Sequence, residues 1–221
     1  MVKAMEPEFW RQRWESNQIG FHEGQVNGYL ASHYADLKVT PGQTVFVPLC
    51  GKSADLRWLA DQGAHVLGVE LSPIAVENFF AEQGLTPRTR KEGAITIWES
   101  GPIRLLCGDY FALAPDQLAG VHVVYDRAAL IALPPGGRVD YVAQLDRLMP
   151  GARRTLLVTV EYLQEQMQGP PFSVPEEEVH RLFGSARIER LGARDVLDDN
   201  PRFREKGLTR LLECAYLIVA A

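Results

Sequence analysis

Residues 43–72, QTVFVPLCGKSADLRWLADQGAHVLGVELS, constrain the fold more than any other part of the chain. An apolar run at 44–48 reads as a buried strand that breaks into a short turn around Gly51. A helical pattern follows from Ala54 to Gly63, and a second apolar strand ends on the acid Glu70. Strand, glycine turn, helix, strand, acid is the arrangement by which α/β proteins hold a nucleoside. The turn approaches the ligand closely and the acid accepts hydrogen bonds from ribose hydroxyls. Gly51 and Glu70 stand about 20 residues apart, as that geometry requires.

The rest of the chain continues the alternation. Strands are expected at 94–99, 103–107, 121–125, 155–160, 187–191 and 210–219, with helices at 73–84, 138–148 and 175–183. Helices between strands imply a mostly parallel sheet covered on both faces, and the last two strands suggest an antiparallel edge. Two helical patterns, 6–16 and 26–37, precede the first strand. A single domain over 1–221 is therefore expected, with 5–40 as an N-terminal extension and 43–221 as a Rossmann-like core.

In such sheets ligands bind outside the carboxyl ends of the strands. That rule collects residues 49–51, Glu70, Gly108, Asp109, Asp126, Arg127 and Glu161 at one edge. Gly51-Lys52-Ser53 looks like the end of a phosphate-binding loop, but Phe46 stands where that motif needs its first glycine. A dinucleotide turn needs three glycines, and only Gly51 is available. One glycine with a downstream acid suits a mononucleoside cofactor such as S-adenosylmethionine. Glu70 reads as ribose-binding or as a helix cap. Asp109 reads as an adenine contact or a surface turn, and Arg127 as an acceptor contact or half of a structural ion pair. Trp10, Trp14 and Phe21 read as core staples of the extension or as a cover over the cleft.

Composition narrows the classes. The net charge is −5 and no basic tract is present, so nucleic acid is not an expected partner. No apolar run nears the ~20 residues of a membrane span, and the N-terminus has no signal-peptide core. The three widely spaced cysteines fit a reducing cytoplasm better than a disulfide framework, and the five histidines show no metal-pair spacing.

Several uncommon strings resemble the thiopurine S-methyltransferase family over nearly the whole chain: FWRQRWESNQIGFH at 9–22, VPLCGKSADLRWLADQGAHVLGVELS at 47–72, YDRAALIALPP at 125–135 and GPPFSVP at 169–175. The resemblance implies a class I methyltransferase fold with a seven-stranded sheet and an N-terminal lid. It implies transfer of a methyl group from S-adenosylmethionine to the sulfur of thiopurines or other aromatic thiols, with selenium and tellurium compounds as further acceptors; a monomer is expected. By position, Trp14, Leu49, Gly51, Glu70, Gly108, Asp109 and Arg127 would contact the cofactor. Phe21, His22 and Arg127 would face the acceptor, and Arg127 would be the catalytic residue. The strings leave one alternative, a module that binds S-adenosylmethionine without turnover. The 85–120 and 193–208 regions depart most from the family pattern.

Overall fold

The structure is a computed structural model and describes residues 7–20 and 22–221. Its helices are α1 (Pro7–Glu15), α2 (Gly28–His33), α3 (Ala54–Asp61), α4 (Pro73–Glu82), α5 (Pro135–Leu148), α6 (Glu176–Leu182) and α7 (Pro201–Glu205). Its strands are β1 (Thr44–Val47), β2 (His65–Glu70), β3 (Arg88–Glu92), β4 (Ile95–Ser100), β5 (Ile103–Cys107), β6 (Val123–Arg127), β7 (Arg153–Glu161), β8 (Arg187–Asp195) and β9 (Leu212–Ala220).

All strands join one sheet in the order β3-β4-β5-β2-β1-β6-β7-β9-β8. The five central strands, β5 to β7, pair in parallel. Both edges are antiparallel: β3 with β4 and β4 with β5 on one side, β7 with β9 and β9 with β8 on the other. The sheet thus has nine strands in place of seven. Seven form the run β5-β2-β1-β6-β7-β9-β8, and β3-β4 extends it. Residues Arg88–Glu92 read RTRKE, and all five are exposed. A fully solvated charged strand carries no apolar alternation, so it leaves no sequence signal. Its charges also blunt the edge against pairing with other chains.

Alternate side chains of the central strands enter opposite layers. Phe46 and Val124 pack with Tyr141, Val142, Leu145 and Val179 of α5 and α6. Val45, Val47, Val123 and Tyr125 pack with Leu30, Leu56, Leu59, Phe79 and Phe80 of α2, α3 and α4. Helices cover both faces, which is why the central strands read as continuous apolar runs. A smaller cluster, built on Tyr162, Met167, Val196, Phe203 and Leu211, lies under the 193–208 excursion.

The starts of the helices follow from local chemistry. The side chain of Ser53 accepts from the N–H of Asp55, and Ser72 caps α4 ahead of Pro73. The 26–37 pattern divides into α2 and a 3₁₀ turn at Tyr34–Leu37. Asn27 caps α2, accepting from the N–H groups of Tyr29 and Leu30. Strand β6 starts two residues later than expected and runs through Arg127, so Asp126 and Arg127 belong to the strand and point to opposite faces.

Candidate functional site

The carboxyl ends of β1, β2, β5 and β6 open into a cleft of about 1270 Å³. It exceeds the ~300–1,000 Å³ of ordinary single-ligand pockets. Trp14, His22, Leu49, Gly51, Glu70, Gly108, Asp109 and Arg127 all line it. Phe21 lies outside the described residues. Asp126 and Glu161, gathered by the strand-end rule, do not contribute to its walls.

Glu70 closes one wall of the cleft. It is 7% exposed. Its Oε2 accepts the N–H of Gly51 at 2.9 Å and its Oε1 accepts the N–H of Ser72 at 2.7 Å. The acid at the end of β2 therefore holds both the turn after β1 and the start of α4. A carboxylate offers about four lone-pair directions, so it keeps capacity for a ligand hydroxyl. Burial pushes the Glu70 pKa up to about 6, against the lowering pull of the N–H groups of Ser72, Gly51 and Leu71.

Left-handed backbone marks both walls of the cleft. Leu49 and Gly51 have φ of 47° and 54°, and Ala128, just past β6, has φ of 66°. Leucine and alanine in the left-handed region are uncommon and are held there by surrounding structure. A Cβ on Gly51 would stand 3.4 Å from the indole of Trp14, so the buried tryptophan of α1 lies directly across this turn. Gly108 has a different reason: its Cβ would fall 2.3 Å from Ile95 Cδ1. A side chain there would displace the Ile95 methyl packed against it from β4. Asp109 is exposed, and its Oδ1 accepts the N–H of Phe111 at 2.9 Å, capping the 3₁₀ turn at Tyr110–Ala112.

Arg127 forms the opposite wall. Its side chain is 11% exposed and pairs with Glu23, which is 46% exposed. Burial pushes the guanidinium toward neutrality. The pull of Glu23, Tyr125, Asp55 and Glu213 outweighs this, and its pKa is raised. On the far face of the strand Asp126 is fully buried and accepts from Tyr141 Oη at 2.7 Å and from the N–H of Leu130 at 3.2 Å. Those bonds fix the strained turn that follows Arg127. His22 is half-buried, and burial, then Lys52, lower its pKa.

Three further residues shape this wall. Asp55, fully buried in the first turn of α3, accepts the N–H of Asn27 at 2.8 Å and the hydroxyl of Tyr125 at 2.9 Å. Glu213 on β9 accepts from the Asn27 side chain at 3.1 Å, and burial raises its pKa against the pull of Arg127. Glu213 had a readable signal, a lone acid inside the apolar run LLECAYLIVA. Asp55 had none, because an acid in a first helical turn is commonplace. Glu23 follows His22 in a coil and had none either.

S-adenosylmethionine fits this donor set. The turn at Leu49–Cys50–Gly51 leaves no side chain at its tightest point, and a buried acid with spare lone pairs stands beside it. An aromatic ring covers the turn, and the cavity has room for a nucleoside and a second molecule. Among the described residues no cluster of three His, Cys, Asp or Glu stands ready for a metal ion, and no helix is long and apolar enough to cross a membrane.

The fold recurs in known methyltransferases. A magnesium protoporphyrin IX methyltransferase from Synechocystis, solved with bound S-adenosylmethionine, superposes with a TM-score of 0.60 at 20% identity, covering 95% of this chain and 96% of that one. An S-adenosylmethionine-dependent methyltransferase from Anabaena variabilis gives 0.62 at 14% identity, covering 96% and 94%. Among curated proteins, thiopurine S-methyltransferases from Pseudomonas putida and Methylococcus capsulatus are 51% and 52% identical, covering 97% and 98% of this chain and 99% and 98% of their own lengths. The family model described as thiopurine S-methyltransferase matches residues 5–220. The chain belongs to the thiopurine S-methyltransferase family.

Proposed function

We propose that the cleft transfers a methyl group from S-adenosylmethionine to the sulfur of an aromatic or heterocyclic thiol, thiopurines included, with small selenium and tellurium compounds as further acceptors. The observation that carries this reading is the pairing of two unlike walls in one cavity. One is a strained turn closed by the buried Glu70, and the other presents the guanidinium of Arg127.

Glu70 would hold the ribose hydroxyls, and the backbone at Leu49 and Gly51 would lie along the methionine portion. Gly108 and Asp109 would flank the adenine. Trp14, across the same turn, would offer an aromatic face to a sulfonium, an attraction of ~0.5–2 kcal/mol. The bound cofactor supplies an already activated methyl group. What remains for the protein is alignment, and near-attack positioning alone contributes several kcal/mol. Arg127 would hold the acceptor as an anion. Phe21 and His22 would flank it, and the N-terminal segment would exclude water as a lid. Aromatic thiols ionise readily and the thiolate is the nucleophile, so no strong base is demanded of the cleft. We read the protein as a cytoplasmic monomer that acts without nucleic acid; the free thiols of Cys50, Cys107 and Cys214 support the reducing compartment.

Incubation with labelled S-adenosylmethionine and a panel of aromatic thiols tests the reaction. The expected result is labelled thioether and a thermal shift with S-adenosylhomocysteine that NAD does not give. Binding without transfer to any thiol or selenium compound would instead support the binding-only module.

A further inference from the structure

The guanidinium of Arg127 already holds a carboxylate. Glu23 comes from the coil between α1 and α2, while Arg127 sits at the end of β6. The two partners are unequally fixed. Arg127 is almost fully enclosed by the wall, but about half of the Glu23 side chain is in solvent. The coil is anchored downstream at Asn27, through Asp55 and Glu213. Glu23 lies ahead of that anchor, beside Gly24, whose missing Cβ would meet nothing within 4 Å. The acid therefore has room to swing out without disturbing the anchor.

Arg127 also lies in the field of Asp55 and Glu213. With Glu23 in place its single positive charge is matched, and two further acids surround it. A second anion entering beside it must compete with Glu23 for the guanidinium and is opposed by the charge of these acids, while Arg194 offsets part of the Glu213 field. Without Glu23 the guanidinium has free donors in a partly desolvated wall, where charge-assisted hydrogen bonds to an anion are strong.

We propose that Glu23 is a specificity-determining residue: its carboxylate fills the anion seat on Arg127 and must leave before an acceptor that binds as an anion takes that seat. This rests on the reading of Arg127 as the contact to an anionic acceptor. Glu23 thereby weakens anionic acceptors relative to neutral molecules of the same shape. The cost is modest, because a half-exposed ion pair is easily opened.

The test uses the full chain saturated with S-adenosylhomocysteine, so that no turnover occurs. Calorimetry in mildly alkaline buffer compares thiophenol, which is ionised there, with cyclohexanethiol, which is similar in size and stays protonated. Glu23→Gln is expected to tighten thiophenol about threefold to fivefold and to leave cyclohexanethiol within about twofold. Asp140→Asn, which removes another exposed carboxylate from the cleft, is expected to move neither. Unchanged thiophenol affinity in Glu23→Gln overturns the proposal. So does equal tightening of both thiols, or the same gain from Asp140→Asn, which would indicate a general field. Thiophenol binding without methylation by the unaltered protein counts against the proposed function alone. Binding of neither thiol to any variant overturns both.

Discussion

The two ends of the cleft are built on different principles. The cofactor end comes from adjacent sequence: the turn after β1, the acid at the end of β2 and the start of α4 lie within residues 49–72, tied by backbone N–H groups to one buried carboxylate. The acceptor end is assembled from distant segments. Arg127, Asp55 and Glu213 come from three elements, and Glu23 and Asn27 from the coil between α1 and α2; they meet through polar and charged side chains, one of them half in solvent. Backbone-held geometry is rigid and changes all at once. Side-chain charge can be exchanged for a ligand's charge. A single fold can thus keep one cofactor fixed while its acceptor range varies.

The largest expected effect breaks the cofactor end. Glu70→Ala leaves the N–H groups of Gly51 and Ser72 without their acceptor and would also remove the proposed ribose contact. Hydrogen bonds to a charged group are worth about 1.5–3 kcal/mol, so affinity for S-adenosylhomocysteine should fall about 100-fold by calorimetry, with a lower Tm. A drop in affinity with no change in Tm would mean that Glu70 serves the ligand only. The acid also sets a pH dependence. Its pKa is 4.5 as a free group and about 6 in the fold, so the native state holds the proton across that window. Stability from this group therefore falls as pH rises from 4.5 to 6, by about 2 kcal/mol in all. On the proposed role, ribose hydroxyls would donate to the ionised form and offset that loss. Cofactor affinity should weaken as pH drops through about 6, and Glu70→Gln should flatten the profile.

Next comes the acceptor end. Arg127→Lys keeps the charge and loses the planar fork. We expect kcat/KM for an aromatic thiol to fall at least about tenfold, the loss of one charge-assisted bond, while the cofactor dissociation constant stays within about twofold. An equal loss in both would show that the two walls are not separable.

Much of this contrast explains what could be read from the chain. The 43–72 unit was legible because parallel strands buried on both faces are continuous apolar runs, and Glu70 interrupts such a run at its end. Arg127 was legible by the same rule. Its partner was not, since no local pattern links a carboxylate in a coil to a strand end far along the chain. Strand β3 was invisible for a similar reason: RTRKE is a strand only because β4 offers it an edge. The strand-end rule also gathered Asp126 and Glu161, which the cleft does not use. The pleat sends Asp126 to the opposite face, where it holds Tyr141. The resemblance to a family supplied Trp14, whose approach to Gly51 no spacing in α1 announces.

Asn27 tests the anchoring of the acceptor wall at smaller cost. Its side chain caps α2 and donates to Glu213, and its N–H donates to Asp55. Asn27→Ala retains only the backbone bond. Loss of a cap costs ~1 kcal/mol, so denaturant unfolding should show a decrease of that order, with KM for the acceptor rising and cofactor affinity nearly unchanged. A rise in the cofactor dissociation constant to match would place the anchor at the wrong end of the cleft.

The smallest effect is expected at Asp109, where the two ends of the cleft give opposite guidance. It follows β5 on the cofactor side, yet unlike Glu70 it is an exposed side chain. Its Oδ1 is committed to the N–H of Phe111. Solvent competes for any adenine contact it makes, so the net value of that bond is at the low end, ~0.5 kcal/mol. Asp109→Asn keeps a carbonyl oxygen for the cap and removes the charge, so cofactor affinity should change by no more than about threefold, with Tm unchanged. A loss approaching that of Glu70→Ala would show that the adenine edge is held as tightly as the ribose edge.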